Sequence, residues 1–178
     1  MHELIDPESA TGEVRDLFDA TRRQLGRVPN LYRAMAGSPA ALGAYLAFRE
    51  ALGRGVLDPA MRERIALLTA QLNDCDYCVA AHSFRSQKMG LTGEDIDATR
   101  RARSESPKIH ASLSFVKTLI EHRGTAGEDS AAELARHGWT EMEIGEMIGH
   151  VALNVFSNHF KQVANPALDF PPAPALVD

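Results

Sequence analysis

The sequence has little of several features that would assign it to a familiar class of protein. Its 178 residues include only two cysteines and one tryptophan, and no apolar run approaches the roughly 18 residues of a membrane span, so we expect no membrane association. Residues 1–16 are acidic and polar, which is unlike a signal peptide. The net charge of −5, with no basic stripe to offset it, argues against nucleic acid as a partner. We therefore expect a cytoplasmic protein, in which a pair of cysteines is usually catalytic or metal-binding.

The composition predicts an all-α fold, because valine and isoleucine are sparse, alanine and leucine are abundant, and no segment alternates with a period of two. The length suits a single domain over residues 1–178. We expect N-terminal helices in 1–55, a core that contains both cysteines in 56–125, and C-terminal helices with a proline-rich tail in 126–178. This tail cannot continue the preceding helix and is expected to lie over the surface or over a partner subunit.

Several helix starts are marked by capping residues. Four acidic or serine residues precede a proline and predict an N-cap followed by the first helical residue: Asp6, Ser38, Asp58 and Ser106. Thr140 and Glu143 predict a capping box at the start of the last long helix. The apolar stripe of that helix is predicted to consist of Ile144, Ile148, Val151 and Val155.

Both cysteines lie in the segment NDCDYCVAAHSFRS, residues 73–86, which predicts a helix from about residue 74 to residue 89. At about 100° per residue, Cys75, Cys78 and His82 share one face of this helix. Cys75 is predicted to lie in the first turn, where free N–H groups and the helix dipole favour a thiolate. His82 follows Cys78 by one turn, a spacing that places a base within reach of a thiol and suits an activated nucleophile. The second thiol could then condense with a sulfenic acid that peroxide forms.

The preceding helix contributes a carboxylate to the same region. If the two helices fold back as an antiparallel hairpin around residues 73–74, Glu63 lies level with His82. A carboxylate there would orient the imidazole and increase its basicity, as in a catalytic triad. The resulting hypothesis is that Glu63 orients His82, His82 deprotonates Cys78, and Cys75 resolves the oxidised product.

Two alternatives remain open at this point. Cys75, Cys78, His82 and Glu63 could hold zinc, although the sequence offers no second CxxC and no HxxxH pair. The two cysteines could also be small buried hydrophobic residues. A thioredoxin-like site normally needs a βαβ setting, and no strand is predicted here. Thiol redox chemistry on a helical scaffold is the interpretation that these patterns favour.

The segment RERIALLTAQLNDCDYCVAAHSFRSQKMGLT, residues 62–92, resembles the AhpD-like alkylhydroperoxidase group of the carboxymuconolactone decarboxylase superfamily. The motif of that group is a glutamate, a CxxC twelve positions later and a histidine four positions after the second cysteine. Glu63, Cys75, Cys78 and His82 match it. The looser matches VPNLYRAMAGSP and IGHVALNVFSNHF are similar to the superfamily's peroxidase-related branch.

The resemblance implies an all-α, AhpD-like fold with the CxxC at the N-terminus of a core helix in an αα-hairpin, assembled into dimers, trimers or hexamers. It implies reduction of organic hydroperoxides without a bound cofactor or metal, with Cys78 as the attacking thiolate and Cys75 as the resolving thiol. The reductant would be a lipoyl-bearing or thioredoxin-like dithiol. A general thiol–disulfide oxidoreductase is the alternative within redox chemistry, and a decarboxylase is disfavoured because those members generally lack the cysteine pair.

Two further features need a structural test. Tyr77 occupies the position between the cysteines where some peroxidases of this family carry a histidine, so one member of their proton relay is absent. On the last helix, His150, Asn154 and Asn158 recur every four residues. This polar stripe is predicted to line the active-site cavity or a subunit seam, or to be a set of buried polar groups with satisfied hydrogen bonds.

Overall fold

The computed structural model describes residues 4–127 and 129–176, and within them the backbone forms helices and no strand, which confirms the all-α prediction. Residues 1–3, 128 and 177–178, which the predicted domain includes, lie outside the described residues. The helices are α1 (Gly12–Leu25), α2 (Asn30–Met35), α3 (Pro39–Gly53), α4 (Pro59–Leu72), α5 (Asp76–Lys88), α6 (Gly93–Arg100), α7 (Pro107–Glu121), α8 (Ser130–Arg136) and α9 (Glu141–Ala164). No helix among them is long and apolar enough to span a bilayer. The division of the domain into three segments stays a prediction.

Three of the four predicted proline-containing helix starts are confirmed. Ser38, Asp58 and Ser106 are the N-caps of α3, α4 and α7, and each side chain accepts a hydrogen bond from a backbone N–H of the first turn. The capping box of Thr140 and Glu143 is also present at the start of α9. Side chains thus satisfy backbone donors that have no partner within the helix.

Three other expectations about helices were wrong. The first helix begins at Gly12 rather than at Pro7, because Asp6 closes a separate turn in which its side chain accepts from Glu8 N. α5 begins at Asp76 rather than at residue 74, because Asp74 has a φ of 51° and cannot belong to a right-handed helix. Ile148 is 48 % exposed, so the apolar stripe of α9 that faces the core is narrower than predicted.

α4 lies at the centre of the fold and packs against α5, α6, α7 and α9. It contributes to both groups of buried residues. The first core cluster includes both cysteines and consists of Ala10, Phe18, Leu31, Tyr32, Met35, Ala36, Leu42, Leu67, Ala70, Cys75, Tyr77, Cys78, Val79 and Ile96. The second core cluster consists of Leu57, Met61, Ile65, Leu68, Ala102, Leu113, Phe115, Val116, Leu134, Trp139, Ile144, Met147 and Val151.

Truncating the centre of α4 should destabilise the protein strongly. Leu67 is fully buried in the first core cluster, so Leu67→Ala removes apolar contacts and leaves a cavity. We expect the free energy of unfolding to fall by about 2–5 kcal/mol. The matched control is Val56→Ala in the loop between α3 and α4, where the residue is 54 % exposed and the expected change is within about 0.5 kcal/mol. Urea unfolding with the disulfide intact measures both, and equal midpoints for the two variants would contradict the assignment of Leu67 to the core.

The tail that follows α9 turns back across the surface of its own chain. Asn30 Nδ2 donates to Ala167 O at 3.1 Å, and Arg100 Nη1 donates to Pro174 O at 2.7 Å. Asp169 accepts from Asn30 N through its side chain and from Arg27 through its backbone carbonyl. The tail therefore connects α9 to the start of α2 and to the end of α6, and it passes the N-terminal turn of α5.

Candidate active site

α4 and α5 form the antiparallel hairpin that the sequence predicted. The turn uses Asn73 as the C-cap of α4, Asp74 in a left-handed conformation and Cys75 as the N-cap of α5. Cys75 N donates to Ala70 O at 2.9 Å, which closes the turn. α9 also holds the turn in place, because Gln162 Nε2 donates to the backbone carbonyls of both Asn73 and Asp74. Residues that lie far apart on the two helices are thereby brought level.

Glu63 and His82 meet across this hairpin. The distance between Glu63 Oε2 and His82 Nδ1 is 2.7 Å, and both side chains are largely buried. Burial raises the pKa of the Glu63 carboxyl, but His82, Arg85 and Arg49 together outweigh it and hold that pKa below its usual range. An ionised Glu63 can only accept, so His82 Nδ1 is the donor of this hydrogen bond and Nε2 is the ring nitrogen left to act as a base. The pair that the sequence suggested thus has the geometry of an oriented imidazole.

The two cysteines are joined by a disulfide with a Cα–Cα distance of 5.2 Å. Both belong to the first core cluster, and only 0 % of Cys75 and 3 % of Cys78 is exposed. Because α5 begins at Asp76, Cys78 rather than Cys75 is the cysteine within the first helical turn. Cys78 therefore lies in the turn whose backbone N–H groups were expected to favour a thiolate at Cys75. His82 lies one turn further along α5.

Tyr77, between the cysteines, connects the site to the tail. Its hydroxyl donates to Asp169 Oδ1 at 2.6 Å and accepts from Leu31 N at 3.3 Å, and its ring packs edge-on against Phe170. Burial, reinforced by Asp169, raises the pKa of Tyr77 well above its usual value. The side chain therefore stays neutral near pH 7 and anchors the tail, and it does not replace the basicity of a histidine at this position.

A cavity of about 350 Å³ lies beside the Glu63–His82 pair. We call it the histidine cavity, because both His82 and His150 line it. Its wall also includes Tyr45, Arg49, Arg54, Arg62, Arg85, Met89, Leu153 and Asn154. A volume of this size suits a small-molecule site, which typically encloses roughly 300–1,000 Å³. In this oxidised state the cysteines are buried, whereas His82 and Glu63 line the cavity.

The polar stripe of α9 divides between two places. His150 and Asn154 line the histidine cavity, as the first of the three predicted roles requires. Asn158 lies elsewhere and accepts a hydrogen bond from Asn73 Nδ2 at the hairpin turn. The alternative, that all three are satisfied by other groups of the protein, is not met for His150 Nε2 and Asn158 Nδ2, which are buried without a hydrogen-bond partner among the described residues. The spacing of four showed that the three residues share a face but could not distinguish a cavity from a turn.

The sequence did not suggest the arginines of the cavity. Arg49, Arg62 and Arg85 come from α3, α4 and α5, and no motif connects them along the chain. Only the packing of these helices brings them together. The part of the chain that the structure describes contains no group of three or more histidine, cysteine, aspartate or glutamate side chains arranged to hold a metal ion.

Comparison with known proteins gives one sequence match and several structural ones. Residues 39–117 match the Carboxymuconolactone decarboxylase family. No curated protein matches the sequence. An uncharacterized peroxidase-related protein from Silicibacter sp. TM1040 is 21 % identical, with a TM-score of 0.80, over 93 % of this chain and 88 % of that one. An uncharacterized peroxidase-related protein with an alkylhydroperoxidase AhpD core, from Ralstonia eutropha JMP134, is 22 % identical, with a TM-score of 0.79, over 96 % and 90 %.

A third similar structure carries a different activity in its name. The debrominase Bmp8 is 16 % identical to this chain and superimposes with a TM-score of 0.79 over 95 % of this chain and 92 % of its own. A Bmp8 variant has also been solved in complex with 2,3,4-tribromopyrrole. At these identities the structural matches show the fold alone, and they confirm that it is AhpD-like.

Proposed function

We propose that the chain is a member of the carboxymuconolactone decarboxylase superfamily, whose family model matches residues 39–117, and that it is a thiol-dependent peroxidase for organic hydroperoxides. The observation that carries the proposal is the 2.7 Å contact between Glu63 Oε2 and His82 Nδ1, one helical turn from Cys78. A carboxylate, an imidazole and a thiol in this order form an activated nucleophile. The adjacent Cys75, already linked to Cys78, supplies the second thiol.

In the proposed cycle, His82 Nε2 takes the proton of the Cys78 thiol. The thiolate then attacks the terminal oxygen of the hydroperoxide, the O–O bond breaks, and the alkoxide leaves as an alcohol with the proton from His82. Cys78 becomes a sulfenic acid, and the Cys75 thiol attacks its sulfur, which forms the disulfide and releases water. The peroxide gains two electrons and the dithiol loses two. A lipoyl-bearing or thioredoxin-like dithiol would reduce the disulfide again.

A thiol count tests the proposal directly. The protein is reduced, freed of reductant and mixed with one equivalent of cumene hydroperoxide, and free thiols and cumyl alcohol are measured over seconds to minutes. Loss of both thiols with formation of one equivalent of alcohol is the expected result. Two thiols that survive unchanged would rule out the peroxidase.

Parallel assays address the other candidates. Fast reaction with a disulfide substrate but slow reaction with peroxide would indicate a general thiol–disulfide oxidoreductase. One equivalent of copurifying zinc would indicate a metal-binding module. Because the debrominase Bmp8 shares the fold, bromide release from 2,3,4-tribromopyrrole provides a comparison substrate.

We further propose that the protein is cytoplasmic and homo-oligomeric. Large apolar side chains are exposed on α3 and α9, which pack against each other: Phe48, Ile148, Phe156 and Val163. A second copy of the chain would cover this surface. Light scattering coupled to gel filtration should give a mass of at least two chains, and Phe156→Ser should lower it. A monomeric wild-type protein at micromolar concentration would contradict the prediction.

A further inference from the structure

The histidine cavity is rich in positive charge, although the whole chain carries a net charge of −5. Four arginines line it, against two carboxylates. The arginines are Arg49, Arg54, Arg62 and Arg85, and the carboxylates are Glu50 and Glu63. A concave site lined by charges of one sign attracts ligands of the opposite sign.

The two carboxylates do not neutralise all four cations. Glu50 is paired with Arg54, and Glu63 is shared between His82 and Arg85. Arg62 donates to the backbone carbonyls of the loop between α3 and α4, the shortest distance being 2.7 Å. Arg49 Nη1 donates at 2.6 Å to the neutral amide oxygen of Gln24. Two guanidinium groups therefore bond to neutral oxygens, and the cavity lining carries four cations against two carboxylates, while the carboxylate of the nearby Glu146 accepts from the backbone N–H groups of Val56 and Leu57.

His150 provides a second, independent indication of a ligand. Its side chain is buried, with only 6 % of the residue exposed, and its Nε2 has no hydrogen-bond partner among the described residues. An unsatisfied buried polar atom costs about 1–3 kcal/mol, unless a ligand or water binds it. Burial lowers the pKa of His150 to about 4, with a further contribution from Arg62, so the ring is neutral near pH 7. A neutral ring with its hydrogen on Nε2 can donate that hydrogen to an anion.

A second cavity next to the histidine cavity offers space for the apolar part of a ligand. It has a volume of about 770 Å³ and shares Gln24, Arg49, Glu63, Arg85 and Met89 with the histidine cavity. We call it the tail cavity, because Asp169, Phe170 and Pro171 form part of its wall. Leu25, Pro29 and Phe84 add further apolar surface. Arg49 lines both cavities, so its charge lies between the histidine cavity and a second cavity whose wall combines these apolar side chains with the charged Arg27, Lys88 and Asp169.

We propose that the substrate is an organic hydroperoxide that carries a carboxylate, and that Arg49 binds this carboxylate with Arg62 and His150 as further donors. The proposal rests on the proposed peroxidase function. A guanidinium group suits a carboxylate because its planar N–H groups can donate to both oxygens at once. The hydroperoxide end would lie near His82, and the apolar body would extend into the tail cavity. This assigns a substrate class to the site and identifies Arg49 as a specificity-determining residue.

The first experiment measures binding without chemistry. Calorimetry compares para-isopropylbenzoate with the neutral para-isopropylbenzamide, using the wild-type protein, Arg49→Met, Arg49→Lys and Arg136→Met. Arg136 lies on α8, pairs with Glu133 and is remote from both cavities, so its variant is the matched control for a lost charge. We expect the wild type and Arg136→Met to prefer the carboxylate by about tenfold, the size of one charged hydrogen bond. Arg49→Met should lose the preference, and Arg49→Lys should retain part of it.

The second experiment measures the reaction. The ratio of kcat/KM for para-carboxycumene hydroperoxide to that for cumene hydroperoxide should be about ten in the wild type and near one in Arg49→Met. Because the ratio is taken within each variant, a general loss of activity cancels. Two results would overturn the proposal in the binding experiment: equal affinity of the wild type for para-isopropylbenzoate and para-isopropylbenzamide, or tighter binding of inorganic phosphate than of the benzoate. In the reaction, an unchanged kcat/KM ratio in Arg49→Met would also overturn it. If neither peroxide oxidises the thiols while the binding preference persists, the peroxidase fails and the anion site stands.

Discussion

Replacing Cys78 with serine should abolish peroxide reduction, lowering the rate by at least about a thousandfold. The reason is that a serine hydroxyl in place of the attacking thiol is not ionised near pH 7 and does not form a sulfenic acid. Cys75→Ser should behave differently, because Cys78 would still be oxidised once and would then lack the resolving thiol. We expect a single turnover that ends in a sulfenic acid, trapped by dimedone and identified by mass spectrometry.

The two serine variants control for each other. Serine is a preferred N-cap residue, so Cys75→Ser at the N-cap of α5 should not weaken the helix. Both variants lose the disulfide, so any effect on stability that the disulfide alone causes should be the same in each. A Cys75→Ser protein that is inert, beside a Cys78→Ser protein that gives the dimedone adduct, would reverse the proposed roles of the two cysteines.

Replacing Glu63 with glutamine should slow the oxidation of Cys78 by about tenfold to a hundredfold, and His82→Ala should do so by a similar amount. Glutamine keeps the size of the side chain but removes the negative charge that orients His82 Nδ1. Stopped-flow measurement with cumene hydroperoxide gives the rate constants. Glu105→Gln, in the exposed loop between α6 and α7, is the matched control and should leave the rate unchanged.

Glu63 should also influence stability against acid. Because the pKa of Glu63 is lower in the folded state than in the unfolded state, the unfolded chain binds the proton more tightly. The stabilisation is therefore present above the usual glutamate pKa of about 4.3 and is lost as the pH falls through the folded value. Between about pH 5 and pH 3, the free energy of unfolding should fall more steeply for the wild type than for Glu63→Gln. Parallel curves, together with an unchanged oxidation rate, would show that the carboxylate has no role in the site.

The sequence predicted the helical architecture and the Glu63–His82 pair because both depend on local rules. Capping residues define helix starts, and an antiparallel hairpin brings residues at matched distances from its turn to the same level. The start of α5 was misplaced by two residues because Asp74 adopts a left-handed conformation that the pattern of apolar residues does not reveal. This small error assigned the first-turn position to the wrong cysteine.

The arginines of the histidine cavity and the tail contacts could not be predicted, because they depend on long-range packing. Arg49 lies on α3, whereas His150 lies on α9, and their proximity follows from the way in which both helices pack against their neighbours. Asp169 meets Tyr77 only because the tail folds back over α2. The sequence does not indicate that Arg49 lies near His150 or that Asp169 lies near Tyr77, since no periodicity connects such remote residues.

The separation of the buried residues into two clusters has a spectroscopic consequence. Trp139, the single tryptophan, belongs to the second core cluster, where its indole N–H donates to Lys108 O. All three tyrosines, Tyr32, Tyr45 and Tyr77, lie in or against the first core cluster with the cysteines. Tryptophan emission should therefore report on the half of the core without the disulfide, and tyrosine difference absorbance on the half that contains it. Coincident unfolding transitions from the two chromophores would show that both halves unfold cooperatively, and a redox titration should be followed through the tyrosines.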